Sequence, residues 1–264
     1  MEEKITGYEN EFRFMYALNN KRIYEIKNLL LREFIDELFD KPNRYSLINC
    51  CVDASKKKYD IVITINNKIR RISLKKGHKN SVHVEPISEF IHFLIENRIE
   101  KEVIIEYLKY HYADGSTNGS GKTRLSALEY KTNNQDKIDF INQKLNSKEL
   151  LMKAVNRFIL KGNYSDISID ALIDGTVDDF VWIKTEDIID LIINKLNNYS
   201  SAVHFGPLTV QPMDRCLNRN PRYEKKRFCV QIKWYNIFDD IIEYRNNKIM
   251  DSLNLPRDFL IFQG

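Results

Sequence analysis

Residues 60–75 read DIVITINNKIRRISLK. Residues 60–65 alternate β-branched side chains and predict a strand. Asn66-Asn67-Lys68 is a turn signal, and residues 69–75 (IRRISLK) predict a second strand, so the stretch folds back as a β-hairpin. With Asn66-Asn67 as the loop, Asp60 faces Ser73; with Asn67-Lys68 as the loop, Asp60 faces Lys75. Side chains alternate along a strand, so Ser73 and Lys75 share one face. Either register gathers Asp60 and Lys75 at one end of the hairpin. A strand carboxylate beside a strand lysine suits metal-dependent phosphodiester cleavage. The carboxylate can hold Mg²⁺, the carbonyl of residue 74 can add a ligand, and the ammonium can orient or activate water. The plainer reading is a cross-strand Asp–Lys pair worth a few tenths of a kcal/mol.

Around the hairpin the pattern is mixed. Residues 9–18 read as a helix, and a second helix is expected from about residue 21 to residue 40. Pro86 should open a helix whose apolar positions Ile87, Phe90, Ile91, Leu94 and Ile95 follow the helical period. Helices are also expected at about 100–110, 136–160 and 185–197, the last with Thr185 as N-cap. Residues 203–211 and 227–235 predict strands around an Arg/Asn-rich loop. No internal repeat or Pro/Gly/Ser-rich linker interrupts the chain, so a single α/β domain over residues 1–264 is expected. Its hairpin would span about 59–76 and its recognition tail about 203–240.

The charge is unevenly spread. The chain has 264 residues and a formal net charge of +4. Residues 56–79 hold nine Lys/Arg against one acid (Asp60), and residues 215–233 hold seven against one (Glu224). The remainder is acidic, so the two basic stretches form an electrostatic footprint for a polyanion. Hydrophobic residues at 43% and charged residues at 30% exclude disordered and fibrous classes. No run of 18 apolar residues occurs, so no membrane span is expected. The first residues, MEEKITGYENEF, lack the basic and apolar regions of a signal peptide. Cys50, Cys51, Cys216 and Cys229 show no zinc spacing, and a reduced, cytoplasmic setting is expected.

The pattern Asp60-x12-Ser73-x-Lys75 resembles that of the PD-(D/E)xK nuclease superfamily, with Ser where Asp or Glu is usual. Some restriction enzymes of that superfamily are similar in carrying a neutral residue there. A hydroxyl is a weaker Mg²⁺ ligand than a carboxylate. Glu11 sits in the upstream helix where the superfamily often has a glutamate approaching the metal, with Glu9 as the competing residue. From Val203 to Asp240 the chain resembles the C-terminal segment of HinP- and MspI-type four-base-cutting restriction endonucleases. Those enzymes have a similar FG-x-x-T-x-Q strand followed by a Q-x-K strand. Residues 175–192 (GTVDDFVWIKTEDIIDLI) are similar to the stretch before that segment, so the resemblance covers the hairpin, the stretch from about 175 and the tail, about half the chain, and is not extended to about 100–165.

The resemblance implies a restriction-endonuclease-like mixed sheet flanked by helices and a type II restriction endonuclease hydrolysing double-stranded DNA with Mg²⁺. It implies 5′-phosphate and 3′-hydroxyl ends and leaves monomer or homodimer open. Asp60 would hold the metal, Ser73 would hold water there or shape the site, Lys75 would position the attacking water, and Glu11 would be an auxiliary metal group. Ser73 in place of an acid also admits an inactive DNA-binding module, and a defence nuclease acting on other nucleic acids is a further alternative.

The tail suggests recognition on its own terms. In residues 227–235, Phe228, Val230, Ile232 and Trp234 alternate with Arg227, Gln231 and Lys233. One face would be core and the other a row of donors and acceptors for base edges. Gln211, Arg215, Arg219 and Arg222 could add base or phosphate contacts. GSTNGSGKT at 115–123 lacks the glycine a phosphate-binding P-loop needs and follows a predicted helix. It is expected to be a loop touching phosphate through Lys122 and Arg124. His83 or Glu85 could assist at the site, with a loop anchoring the next helix as the plainer reading, and Asp178-Asp179 and Asp239-Asp240 are expected to be helix-flanking or surface charges.

Overall fold

A computed structural model describes residues 6–55, 57–77, 81–122, 124–163, 166–195, 202–213 and 221–253. In chain order its front elements are α1 (Gly7–Leu18), β1 (Lys21–Arg22), α2 (Leu29–Leu38), β2 (Leu47–Val52), β3 (Ile61–Ile65), β4 (Lys68–Lys75) and β5 (Ser81–Pro86). The helical middle holds α3 (Ile87–Glu96), α4 (Lys101–Tyr112), α5 (Ala127–Asn133), α6 (Gln135–Leu145) and α7 (Lys148–Val155). Then come β6 (Ala171–Thr176), β7 (Asp179–Lys184), α8 (Thr185–Asn194), β8 (His204–Phe205), β9 (Leu208–Pro212), β10 (Cys229–Trp234) and α9 (Ile237–Leu253). The class is mixed α/β. The chain forms two compact units, one of Met1–His78, Asn163–Leu191 and Asn236–Gly264, the other of Lys79–Gly162 and Ile192–Tyr235.

The first unit is built on a six-stranded sheet in the order β1-β2-β3-β4-β6-β7. Its pairs are antiparallel except β4 and β6, which run parallel. Alternation along β3 buries Ile61, Ile63 and Ile65, and β4 and β6 add Ile72 and Ile173 to the same core. Helix α1 lays Phe14 and Leu18 on that core, and α2 adds Phe34 and Ile35. Phe14 meets Phe180 edge-on at 5.3 Å and Phe34 meets Trp182 at 5.7 Å. Each such buried side chain stabilises the unit by roughly 1.5–3 kcal/mol. Helix α9 is held through Arg245, whose guanidinium lies 4.1 Å from the Trp182 ring centroid and pairs with Glu37 at 3.0 Å.

The second unit carries a four-stranded antiparallel sheet in the order β5-β10-β9-β8. Val230, Ile232 and Trp234 of β10 are fully buried, and Phe90, Phe93, Phe158 and Phe205 cluster within the unit. Glu85 is buried with Arg157 at 2.8 Å and His83 at 3.3 Å. Burial pushes its carboxyl upward, but His83 and Arg157 outweigh this and hold it below the usual range.

Several expectations change. The single helix expected over 21–40 is instead strand β1, a 3-10 turn at Ile23–Glu25, and α2. Asn28 starts α2 by accepting the Leu31 N–H at 3.0 Å, and Lys21 and Arg22 pair with Ile48 and Leu47. The helix expected over 136–160 breaks at Asn146, because Ser147 caps a new helix through the Leu150 N–H. His83 and Glu85 lie in strand β5, paired with β10, and not in a loop. Thr185 is the first residue of α8, and its hydroxyl donates to the Ile169 carbonyl at 2.6 Å. Residues Pro221–Phe228 form a 3-10 segment, so β10 begins later than expected and Phe228 is exposed. Asp239 and Asp240 lie in the first turn of α9, as helix-flanking acids, and Asp240 is buried there.

Candidate functional site

The hairpin turns through Asn66-Asn67, both at positive φ (48° and 65°), as a two-residue type I′ loop requires. Ile65 pairs with Lys68 and Ile61 with Ile72, which sets Asp60 opposite Ser73. The Asp60 N–H donates to the Ile72 carbonyl at 2.8 Å and extends the ladder by one residue.

Four groups converge at that end. Oδ2 of Asp60 accepts the Leu74 N–H at 2.6 Å and the Ser73 hydroxyl at 3.2 Å. Nζ of Lys75 donates to Ser73 Oγ and to the Leu74 carbonyl, both at 3.0 Å, and stands 3.7 Å from Asp60 Oδ2. Ser73 is fully buried and bridges the two charges, giving its proton to Asp60 and accepting from Lys75. Glu11 reaches the site from α1. Burial raises its pKa first, the Asp60 charge adds to the rise, and Lys75 lowers it. Glu9 is excluded by its own chemistry: its carboxylate accepts the Thr6 N–H at 2.6 Å and closes the capping box that starts α1.

Two carboxylates that repel each other, with a backbone carbonyl beside them, are hard oxygen donors. Mg²⁺ is commonly held by one or two carboxylates and keeps several waters. Asp60, Glu11 and the Leu74 carbonyl fit that demand, although no group of three or more His, Cys, Asp or Glu converges among the described residues. The hydroxyl of Ser73 adds no charge to the set.

Sequence reasoning missed two carboxylates of the first unit. Asp174 is buried on β6, pairs in register with Lys75, and accepts the Gly77 N–H at 3.2 Å, fixing the chain that leaves β4. Asp170 accepts the Arg71 N–H at 2.8 Å and pairs with Arg70 at 3.2 Å and Arg71 at 3.8 Å. Part of the basic stretch around the hairpin is thereby neutralised. The apolar run before Asp174-Gly175 was the available signal for β6.

In the second unit, Gln231 of β10 lies between Gln211 of β9 and Val84 of β5, on the face opposite the buried Val230 and Ile232. Lys233 pairs with Thr209 on the same face and is itself buried, with its ammonium 5.5 Å from the Tyr235 ring centroid. Arg227 is not part of that row. Its guanidinium donates to the Gly119 carbonyl at 2.6 Å and pairs with Asp114 at 3.3 Å. Asp114 also accepts from Ser116 and Gly121, which explains the glycine-rich loop without a nucleotide. A Cβ at Gly121 would lie 2.1 Å from the Asp114 carbonyl oxygen. Arg124 is likewise engaged, donating to the Tyr112 carbonyl at 2.6 Å and the His111 carbonyl at 2.8 Å. Lys122, Arg222, Lys225 and Lys226 are exposed. Arg215 and Arg219 lie outside the described residues.

No helix among the described residues is long and apolar enough to cross a membrane. No protein-family model matches the chain, and no curated protein matches it significantly.

Proposed function

We propose that the chain is a Mg²⁺-dependent endonuclease of restriction-endonuclease-like fold that cleaves double-stranded DNA at a specific sequence. The observation that carries this reading is the Asp60–Ser73–Lys75 cluster at the open end of a hairpin, with Glu11 drawn to the same place. An ordinary cross-strand ion pair needs neither a second carboxylate nor a bridging hydroxyl.

When bound, Mg²⁺ would supply charge stabilisation for a phosphoryl oxygen, held by Asp60, Glu11 and the Leu74 carbonyl. Lys75 has three N–H donors. Two are fixed on Ser73 and Leu74, which aims the third at an incoming phosphate or at water. Ser73 keeps the ammonium in that pose and keeps the Asp60 carboxylate turned toward it. In hydrolysis a P–O bond forms to the water oxygen, the P–O3′ bond breaks, and the 3′ oxygen takes up a proton. DNA binding would fall to the second unit, through the β9–β10 face and the exposed Lys122, Lys225 and Lys226.

Ser73 in place of an acid supports a second reading, an inactive DNA-binding module. The test is incubation of supercoiled plasmid with the protein, with Mg²⁺ or with EDTA. Discrete linear fragments in Mg²⁺ that vanish in EDTA and in Asp60→Asn support the endonuclease. Retarded but uncut DNA supports the binding module, and a smear points to cleavage without sequence preference.

A further inference from the structure

We propose that Asn10 is a positioning residue for the metal site: its buried amide ties α1 to β6 and so sets where Glu11 stands relative to Asp60 and Lys75. The assignment rests on the endonuclease reading above.

Asn10 occupies a core position. With Phe14 and Leu18 it forms the buried stripe of α1, and it is 1% exposed. At that place in the helical period an apolar side chain is the ordinary choice. Nδ2 of Asn10 donates instead to the Gly175 carbonyl at 3.0 Å, across 165 residues of chain. Its Oδ1 is enclosed and has no hydrogen-bond partner among the described residues. An enclosed amide oxygen without a partner costs stability, so stability alone does not account for an amide here. Asn28 supplies the contrast. Its Nδ2 donates to the Val177 carbonyl at 2.8 Å and its Oδ1 accepts the Leu31 N–H, so both ends of that amide serve the fold.

The Asn10 bond joins two neighbours of the candidate site. Asn10 directly precedes Glu11, and Gly175 directly follows Asp174, the β6 residue paired with Lys75. The β4–β6 register ends at that pair, and the next carbonyl on β6 accepts from Asn10. Only glycine fits where that carbonyl is presented. Gly175 has a φ of +127°, and a Cβ there would lie 2.3 Å from the Asp179 carbonyl oxygen and 2.7 Å from the Phe180 Cα. Hydrophobic contact is non-directional, so Phe14 and Leu18 hold α1 on the sheet without defining its slide or rotation. A hydrogen bond is directional, and this one restrains both within one residue of Glu11.

The test pairs a binding readout with an activity readout. Mn²⁺ is titrated into the full chain with free ion read by electron paramagnetic resonance, and plasmid cleavage is followed across a Mg²⁺ titration. Asn10→Leu should weaken Mn²⁺ binding and raise the half-saturating Mg²⁺ concentration by about tenfold, while melting within a few degrees of the parent. Asn10→Ala, which adds no volume, should show the same metal defect and decides the matter should the leucine variant not fold. In a Glu11→Gln background neither substitution should add to the defect, because Asn10 acts through Glu11. Asn28→Ala should melt lower than the parent with its metal binding unchanged. Unchanged metal dependence in both Asn10 variants, or an equal further loss on the Glu11→Gln background, overturns the proposal and leaves the endonuclease standing. A parent that neither binds Mn²⁺ nor cuts plasmid overturns the endonuclease reading and this proposal with it.

Discussion

The ammonium of Lys75 stands 3.7 Å from Oδ2 of Asp60, beyond hydrogen-bond length, while the Ser73 hydroxyl bridges them at 3.0 and 3.2 Å. An ion pair evolved for stability alone would close that gap. Here the lysine instead takes the Leu74 carbonyl, and the carboxylate takes the Leu74 N–H. The two charges are therefore oriented by one backbone residue and remain open to a third group.

Asp60→Asn keeps an acceptor for the Leu74 N–H and removes only the charge. Metal charge stabilisation is worth several kcal/mol in the transition state, so cleavage should fall by about 10³-fold. Lys75→Ala should cause a loss of similar order. Ser73→Ala should be milder, because it loosens the lysine without removing a charge. Single-turnover cleavage with Mg²⁺ reads all three, and melting temperatures should stay within a few degrees of the parent. Full activity in Asp60→Asn would remove the hairpin from the mechanism.

Glu11 gives a separate signature. Its raised pKa means the folded state holds the proton more tightly than the unfolded chain does. That stability is fully present below the ordinary glutamate value of 4.5 and is lost as pH rises through the folded value. At neutral pH the ionised carboxylate, partly buried and facing Asp60, costs stability. Glu11→Gln should therefore melt higher than the parent at pH 7, with the difference shrinking below pH 4.5, while Mg²⁺-dependent cleavage drops. Added Mg²⁺ should raise the parent's melting temperature more than the variant's. A variant that melts lower at pH 7 would argue that Glu11 is a stabilising surface residue.

The hairpin and its Asp60–Lys75 end were legible because strand alternation and an Asn-Asn turn are local signals. The structure chose the Asn66-Asn67 loop, since both residues adopt positive φ. Asp174 was not legible, because its place beside Lys75 depends on the parallel pairing of β4 with β6, about a hundred residues apart in sequence. The choice of Glu11 over Glu9 needed the Thr6 capping box, which consumes Glu9. Arg227 misled for a similar reason. Alternation placed it outside on a strand, but the 3-10 turn before β10 aims it at a buried Asp114.

Stability should weaken on mild acidification through His204. Burial lowers its pKa, partly offset by its hydrogen bond with the Gly206 carbonyl at 2.9 Å. Its other ring nitrogen is enclosed and has no hydrogen-bond partner among the described residues. The neutral form is favoured in the fold, so the stability it contributes is present above the ordinary value of 6.5 and is lost as pH falls through the folded value. Urea midpoints should decline between pH 8 and pH 5, and His204→Gln should flatten that decline. An equal decline in both proteins would assign the effect to other groups.

Salt dependence should separate cations that bind DNA from cations that hold the fold. Lys225 and Lys226 are exposed and make no ion pair among the described residues, so their charges are available to phosphate. Each phosphate contact removed should reduce the slope of log affinity against log salt by about one. The Lys225→Ala/Lys226→Ala double variant should therefore lose about two units of slope, weaken binding to every sequence, and melt like the parent. Arg227→Ala should do the reverse. It leaves the fully buried Asp114 carboxylate with Ser116 and Gly121 but without its cation. Breaking a buried pair costs about 3–5 kcal/mol, and partial exposure of the guanidinium lowers this to on the order of 2 kcal/mol. The expected outcome is a lower melting temperature with the salt slope unchanged. A slope reduced by one in Arg227→Ala at unchanged stability would return that arginine to the DNA-contacting set.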